Sequence, residues 1–230
     1  MQTVRAILPI VVAIVLVVYM VNQCRKPKGW LGRFFLWEMG GRHSDLTDWG
    51  LNRVAIERRH TILDVGCGGG KTVSKLALVA IEGKVCGVDY SAASVAASRR
   101  TNRHGISNGR VEIHQASVSQ LPFVDSTFDF VTAIETHYYW PDLGADMREI
   151  LRVLKPGGKL VLIAEAYKRG RFPQPTGLAM KLLRASYLTP NEHRDLLVTA
   201  GYAGVEIFEA RRKGWICVVG RKSTNIGKQN

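Results

Sequence analysis

Residues 62–70 read Ile-Leu-Asp-Val-Gly-Cys-Gly-Gly-Gly, an apolar run that delivers one carboxylate, Asp64, into a glycine-rich turn. Such a turn lets backbone approach a bound nucleotide, and side chains at Gly66, Gly68 or Gly70 would block that approach. Asp89 stands 23 residues after Gly66, at the end of the next apolar run. A carboxylate there can accept hydrogen bonds from both hydroxyls of a ribose. Three ligand classes share this arrangement. A phosphate-binding GxxxxGK[ST] loop is approached by Gly70-Lys71-Thr72, but Val65 occupies its first glycine position. The dinucleotide pattern GxGxxG fails at Lys71, which replaces its last glycine. What remains is acid-x-Gly-x-Gly-x-Gly. An acid beside the loop would repel a pyrophosphate.

That pattern resembles the first motif of class I S-adenosylmethionine-dependent methyltransferases, in particular the small-molecule members. The resemblance continues through Leu121-Pro122-Phe123, Phe128-Asp129-Phe130-Val131 and the run from Glu149 to Leu160 that contains Pro156-Gly157-Gly158, so that it covers residues 61–202. It implies that S-adenosylmethionine is the cofactor, S-adenosylhomocysteine the product, and that Asp64, Gly66, Cys67, Gly68, Gly70, Asp89, Tyr90, Ser117, Val118 and Glu135 line the cofactor. One position departs from the family. Where an aspartate usually accepts the adenine amino group, this chain has Ser117, so adenine would rest more on the backbone of Val118 and on apolar contacts.

By the same resemblance, the segment Glu135-Thr136-His137-Tyr138-Tyr139-Trp140-Pro141-Asp142 borders the methyl group. Methyl transfer is an in-line displacement at an activated carbon, so positioning of the acceptor supplies most of the acceleration. A base is needed only where the acceptor must lose a proton, and Glu135 and His137 are the candidates; a hydrogen-bonded, pocket-lining His137 is the plainer alternative. Tyr138, Tyr139 and Trp140, with Trp49 from the segment preceding the first strand, are candidates for the acceptor pocket, and as ordinary packing they would support the next helix. The Asp/Asn-Pro-Pro-aromatic motif of enzymes that methylate nucleobase or glutamine amino groups is absent.

The elements that must hold these residues follow from hydropathy. Apolar runs near 61–66, 84–89, 110–115, 128–134 and 158–164 alternate with helix-period segments at 71–81, 91–104 and 143–154, which predicts βαβ units and a parallel sheet. Ser91 is a plausible N-cap, and Pro156-Gly157-Gly158 reads as a turn into the following strand. Thr189-Pro190 opens a helix that Gly201 closes, and runs at 204–210 and 214–220 form an antiparallel hairpin around a basic turn. The expected fold is α/β, a doubly wound Rossmann-like sheet of seven mostly parallel strands with a C-terminal antiparallel hairpin, preceded by one transmembrane helix.

That helix is read from Ala6 to Cys24, 19 residues without charge. As a helix they would extend roughly 28 Å, enough for the hydrocarbon core of a bilayer. Residues 20–23 lack the small-x-small pattern of a cleaved signal. Arg25, Lys26, Lys28 and Arg33 follow the span, against Arg5 before it, which orients the catalytic domain toward the cytoplasm. Trp30, Phe34, Phe35 and Trp37 suit the headgroup level, and the basic insert from Tyr167 to Tyr187 reads as a bilayer-lying piece or a lid.

The formal charge of +13 invites a polyanion, yet the basic clusters lack the aromatic interleaving of a base-stacking surface, so a membrane partner is expected and nucleic acid is not. Four separated cysteines, without a CxxC pair, predict neither a metal site nor a disulfide framework. The domain expectation is an anchor at 1–28, a linker and cofactor-covering segment at 29–60, the methyltransferase domain at 61–222 and a tail at 223–230. The functional expectation is a membrane-tethered methyltransferase acting on a small-molecule or lipid acceptor. A cofactor-binding regulator without turnover and an NAD-dependent oxidoreductase are the rivals.

Overall fold

A computed structural model describes residues 44–170, 177, 180–181 and 185–224. The expected membrane span at 6–24, the aromatic and basic stretch that follows it, much of the 167–187 insert and the end of the tail lie outside the described residues. Among the described residues no helix is long and apolar enough to cross a membrane.

The described chain runs α1 (Ser44–Leu51), β1 (Thr61–Val65), α2 (Lys71–Val79), β2 (Lys84–Asp89), α3 (Ala92–Thr101), α4 (Arg103–Ser107), β3 (Val111–Gln115), β4 (Phe128–Ile134), α5 (Leu143–Val153), β5 (Leu154–Ala164), α6 (Pro190–Ala200), β6 (Ala203–Ala210) and β7 (Trp215–Arg221). The strands form one sheet in the order β3-β2-β1-β4-β5-β7-β6. β1 to β5 are parallel, and β7 lies antiparallel between β5 and β6. The reversal of strand order beside β1 creates the switch point at which open α/β sheets bind ligands, outside the carboxyl ends of the strands.

The central strands are apolar in nearly every position because helices cover both faces, so no polar face is left to alternate with. Ile62, Leu63, Phe130, Val131, Leu160 and Val161 are all at or below 1% exposure. Their side chains divide between two clusters. One holds Leu63, Phe128, Met147, Ile150 and Leu197, the other Leu46, Ile62, Val73, Leu76 and Ile163.

Local signals place the helix ends. The Ser91 hydroxyl accepts from the Ser94 amide at the start of α3. Thr189 and Glu192 form a reciprocal capping box at α6, and Gly201 ends that helix at φ +102°. Two expectations need correction. The single helix at 91–104 is two, α3 and α4, divided at Asn102, whose side-chain amide donates to the Ser98 carbonyl and, across to the glycine loop, to the Gly70 carbonyl. Pro156-Gly157-Gly158 does not precede the fifth strand but sits inside it. β5 begins at Leu154, pairs there with Phe128 and resumes at Lys159 against Phe130, leaving 155–158 as a bulge with Gly157 at φ +81°.

Candidate cofactor and acceptor site

The glycine loop leaves β1 at Val65 and enters α2 at Lys71. Gly66 and Gly70 are glycines for a reason other than access to a ligand. A Cβ on Gly66 would lie 2.7 Å from the Thr136 side chain, and one on Gly70 would run into Ser98 Oγ and lie 2.8 Å from the Ser98 main chain. The loop is thus clamped between the β4 exit and α3. Both residues also need left-handed backbone, with φ +73° and +80°.

Four of the loop's amides are spent internally. Gly66 and Cys67 donate to the Val88 carbonyl, Gly68 to Asp89 Oδ2 at 3.0 Å and Gly70 to the Cys67 carbonyl. A phosphate cradle requires several such amides turned toward the ligand, and these four are not available to one. What the loop presents with its neighbours is acidic. Asp89, 8% exposed at the end of β2, accepts Gly68 N–H on Oδ2 and Ser91 N–H on Oδ1. Each oxygen keeps lone-pair capacity for a diol. Burial pushes the Asp89 carboxyl up, and the amides of Ser91 and Gly68 oppose that shift.

Asp64 sits deeper, 2% exposed, and accepts the Thr132 hydroxyl at 2.7 Å from the neighbouring strand. Burial pushes its carboxyl up to about 7, partly offset by the Thr132 bond and reinforced by Asp89. Two acidic groups in one low-dielectric corner favour a cationic visitor. Cys67 turns its buried thiol toward Ser98, leaving only its backbone for the site. Tyr90 stays exposed beside Asp89. On the β3 side, Ser117 is exposed and its hydroxyl accepts from the Ser119 amide, while Val118 is buried.

At the exit of β4 the expected reactive segment is largely self-engaged. Glu135 adopts φ +58°, rare for a residue with a side chain, and turns its carboxylate back over the sheet. Oε1 accepts from the Tyr138 hydroxyl at 2.7 Å and from the Glu165 amide, and the Tyr138 oxygen accepts from the Ala166 amide. Tyr138, 4% exposed, therefore ties β4 to the β5 exit. His137 is 1% exposed, with Nε2 at 3.2 Å from His193 Nε2 on α6. Burial, then the neighbouring His193, holds its imidazole down to about 3. Its Nδ1 is buried without a hydrogen-bond partner. Tyr139 and Trp140 are half-buried, and the Trp140 indole donates to Thr136 Oγ1. Trp49 lies on α1 against Trp215 of β7, with ring centroids 5.9 Å apart. α1 reaches α2 through the Asp48–Lys75 ion pair and β5 through Gly50, which abuts Ile163.

Several residues with a part in this architecture carry no motif of their own. Thr136 seats both Gly66 and Trp140. Asn102 and Thr101 hold the carbonyls of Gly70 and Gly69 from α3. His193 meets His137 from 56 positions away. Asp146, fully buried, accepts the Ser119 hydroxyl and the Asp142 amide, joining the β3 exit to the start of α5.

Comparison with known proteins agrees with this geometry. Residues 63–162 match the methyltransferase-domain family. The chain is 29% identical over 182 residues to an O-methyltransferase of Pyrenophora dematioidea, covering 77% of this chain and 67% of that protein. It is 38% identical over 119 residues to a methyltransferase of Streptomyces halstedii, covering 51% of this chain but only 42% of the relative. Among solved structures, the geranyl diphosphate C-methyltransferase of Streptomyces coelicolor A3(2), in complex with S-adenosyl-L-homocysteine, superposes with a TM-score of 0.67 at 16% identity, covering 78% of this chain and 76% of that one. With the acidic β2 end, the clamped glycine loop and the seven-stranded sheet order in hand, residues 63–162 form a methyltransferase domain of the class I S-adenosylmethionine-dependent type.

Proposed function

We propose that this chain transfers a methyl group from S-adenosylmethionine to an apolar small molecule or lipid, from a position tethered to a membrane by residues 6–24. The observation that carries the cofactor assignment is the glycine loop in which four amides bond inward while Asp89 and Asp64 face the same corner. That corner suits a ligand with a ribose diol and an ammonium and no phosphate. S-adenosylmethionine supplies a methyl group already activated on a sulfonium. Asp89 holds the ribose hydroxyls, Asp64 compensates the ammonium, and Ser117 and Val118 border the adenine.

Relatives named O-methyltransferases support oxygen as the acceptor atom. His137 is the group we assign to meet that acceptor. It lies three residues beyond the end of β4, and its Nδ1 is a buried nitrogen without a partner. An acceptor hydroxyl donating to Nδ1 would satisfy that atom and orient an oxygen lone pair for attack. Glu135, already bonded to Tyr138 and the Glu165 amide, shapes the site and is the second candidate for proton removal.

Calorimetric titration with S-adenosylmethionine tests the assignment. Asp89→Ala is expected to abolish binding, and an unchanged affinity in that variant would defeat it. The rival, a regulator that binds the cofactor without turnover, is motivated by Ser117. Incubation with a labelled methyl donor and fractionated lipid and small-molecule pools separates the two, since transfer that depends on Asp89 excludes a silent binder. An NAD-dependent activity predicts the reverse pattern, with thermal stabilisation by NAD and none by S-adenosylhomocysteine.

A further inference from the structure

The sheet topology places a basic, aromatic surface on the same rim as the cofactor corner. β7 runs antiparallel to β5, with Ile216 paired to Ala164, so the β6–β7 turn, residues 211–214, emerges at the carboxyl end of β5. That is the edge at which β1, β2 and β4 deliver Gly66, Asp89 and Glu135. The turn carries Arg211, Arg212 and Lys213, all exposed. Beside it the aromatic rings of Trp49 and Trp215 pack together, 5.9 Å apart, and each is capped by a cation. Arg53 lies 5.0 Å over Trp49 and Lys213 4.2 Å over Trp215. Phe208 extends the apolar floor under Arg53 at 5.9 Å.

Half-buried rings with charged heads held over them match the chemistry of a headgroup layer, where an apolar body meets wet, charged lipid. Glu209 is the acid that β6 sets beside these cations, and it is engaged by the Tyr167 hydroxyl and by Arg211. On α1, Asp48 is engaged as well, since it pairs with Lys75. The preceding stretch of this chain, residues 25–43, is a poor alternative occupant because it is itself basic, with Arg25, Lys26, Lys28, Arg33 and Arg42 against Glu38. An anionic occupant is required.

We propose that this rim docks on an anionic lipid surface and turns the mouth of the cofactor corner toward the bilayer. The proposal rests on the membrane-tethered reading and adds the orientation of the domain and the charge of its partner. Residues 25–43 span at most about 65 Å when extended, so a tether at 6–24 would keep the rim within reach of the headgroups. At that effective concentration even weak charge attraction orders the domain. An acceptor dissolved in the leaflet would then reach the site without crossing water.

The test uses the full chain in lipid nanodiscs of phosphatidylcholine alone or with about one third phosphatidylglycerol, read by amide hydrogen exchange. Slower exchange at 208–215 and 48–53 is expected in anionic discs only. The triple variant Arg211→Glu/Arg212→Glu/Lys213→Glu is expected to return both segments to their rates in phosphatidylcholine while keeping its affinity for S-adenosylmethionine. Equal protection in the two disc types, or protection that survives charge reversal, would overturn the proposal and point to coverage by the chain's own upstream segment. Failure of the tether reads differently, as loss of capture by phosphatidylcholine discs. The rim alone must then still bind anionic discs at least about tenfold better than the triple variant does, and equal binding overturns it.

Discussion

His137 and His193 meet through their Nε2 atoms, 3.2 Å apart, in a region from which water is excluded. The far side of His193 fixes the protons on both rings. Its Nδ1 lies 2.8 Å from the Thr189 carbonyl, which only accepts, so Nδ1 carries the hydrogen and Nε2 is the bare acceptor. His137 Nε2 must then donate, which leaves His137 Nδ1 as a lone-pair acceptor. A cap residue of α6 thereby sets the tautomer of a side chain at the β4 exit. The same relationship links the fold to the proposed acceptor contact.

The pair should make stability depend on pH. His137 is held near 3 by burial, against an ordinary value of 6.5, and burial lowers His193 in the same direction. Between those limits the unfolded imidazole takes up a proton that the folded one refuses, so stability rises with pH and is lost as pH falls below about 6.5. Each refused proton costs about 1.4 kcal/mol per pH unit. Urea midpoints from pH 7.5 to 5 for the native chain and for His137→Leu/His193→Leu should diverge on the acid side, the native chain losing more. Parallel curves would contradict the buried neutral pair.

Asp64 acts with the opposite sign. Its carboxyl is raised to about 7, so the folded state keeps a proton that the unfolded state releases, and stability falls as pH rises from about 4 to 7. A cofactor ammonium beside it would favour the ionised form and expel that proton. Affinity for S-adenosylmethionine should therefore weaken about tenfold per unit as pH drops from 7 to 5. Proton release should appear as a buffer-dependent binding enthalpy. Asp64→Asn should flatten both responses, and a native affinity independent of pH would remove Asp64 from the ammonium site.

The Tyr138 hydroxyl serves Glu135 and Ala166 at once. Tyr138→Phe leaves a carboxylate oxygen one donor short and the Ala166 amide without its acceptor, at a cost of about 1–3 kcal/mol. Thermal unfolding should register this loss. Because Glu135 is also held by the Glu165 amide, methyl transfer should fall while the cofactor corner at Asp89 keeps its affinity. A variant as stable as the native chain would show that Tyr138 only fills space.

The sheet was legible because its strands are short, apolar and bounded by turn chemistry. β2 and β4 fall on the expected residues, and β1 differs by one. The glycine loop and Asp89 were legible as a spaced pair. The bulge in β5 was not, because Pro156-Gly157-Gly158 has the local preferences of a turn and only pairing with β4 on either side makes it part of a strand. Nor was the engagement of the reactive segment. Tyr138 and His137 read as pocket residues by type, while their partners, the Ala166 amide and His193, are 28 and 56 positions away and become neighbours only after the sheet and α6 assemble. Long-range pairing of this kind leaves no periodicity in the chain.

Gly70 offers the sharpest separation of packing from backbone strain. A Cβ there would meet Ser98 Oγ, Asn102 Nδ2 at 2.5 Å and, less forgivingly, the main chain of Ser98 at 2.8 Å. Overpacking of this kind costs about 1–3 kcal/mol. The left-handed φ of +80° adds about 1–2 kcal/mol for any residue with a side chain. Gly70→Ala should thus lose several degrees of thermal stability and disturb the loop that presents Gly68 to Asp89. Shortening the obstacles with Ser98→Ala/Asn102→Ala should not restore it fully, because the clash with the main chain at position 98 and the backbone strain persist and the Asn102 bond to the Gly70 carbonyl is lost. Full recovery in the triple variant would mean that side-chain crowding alone fixes glycine at this position.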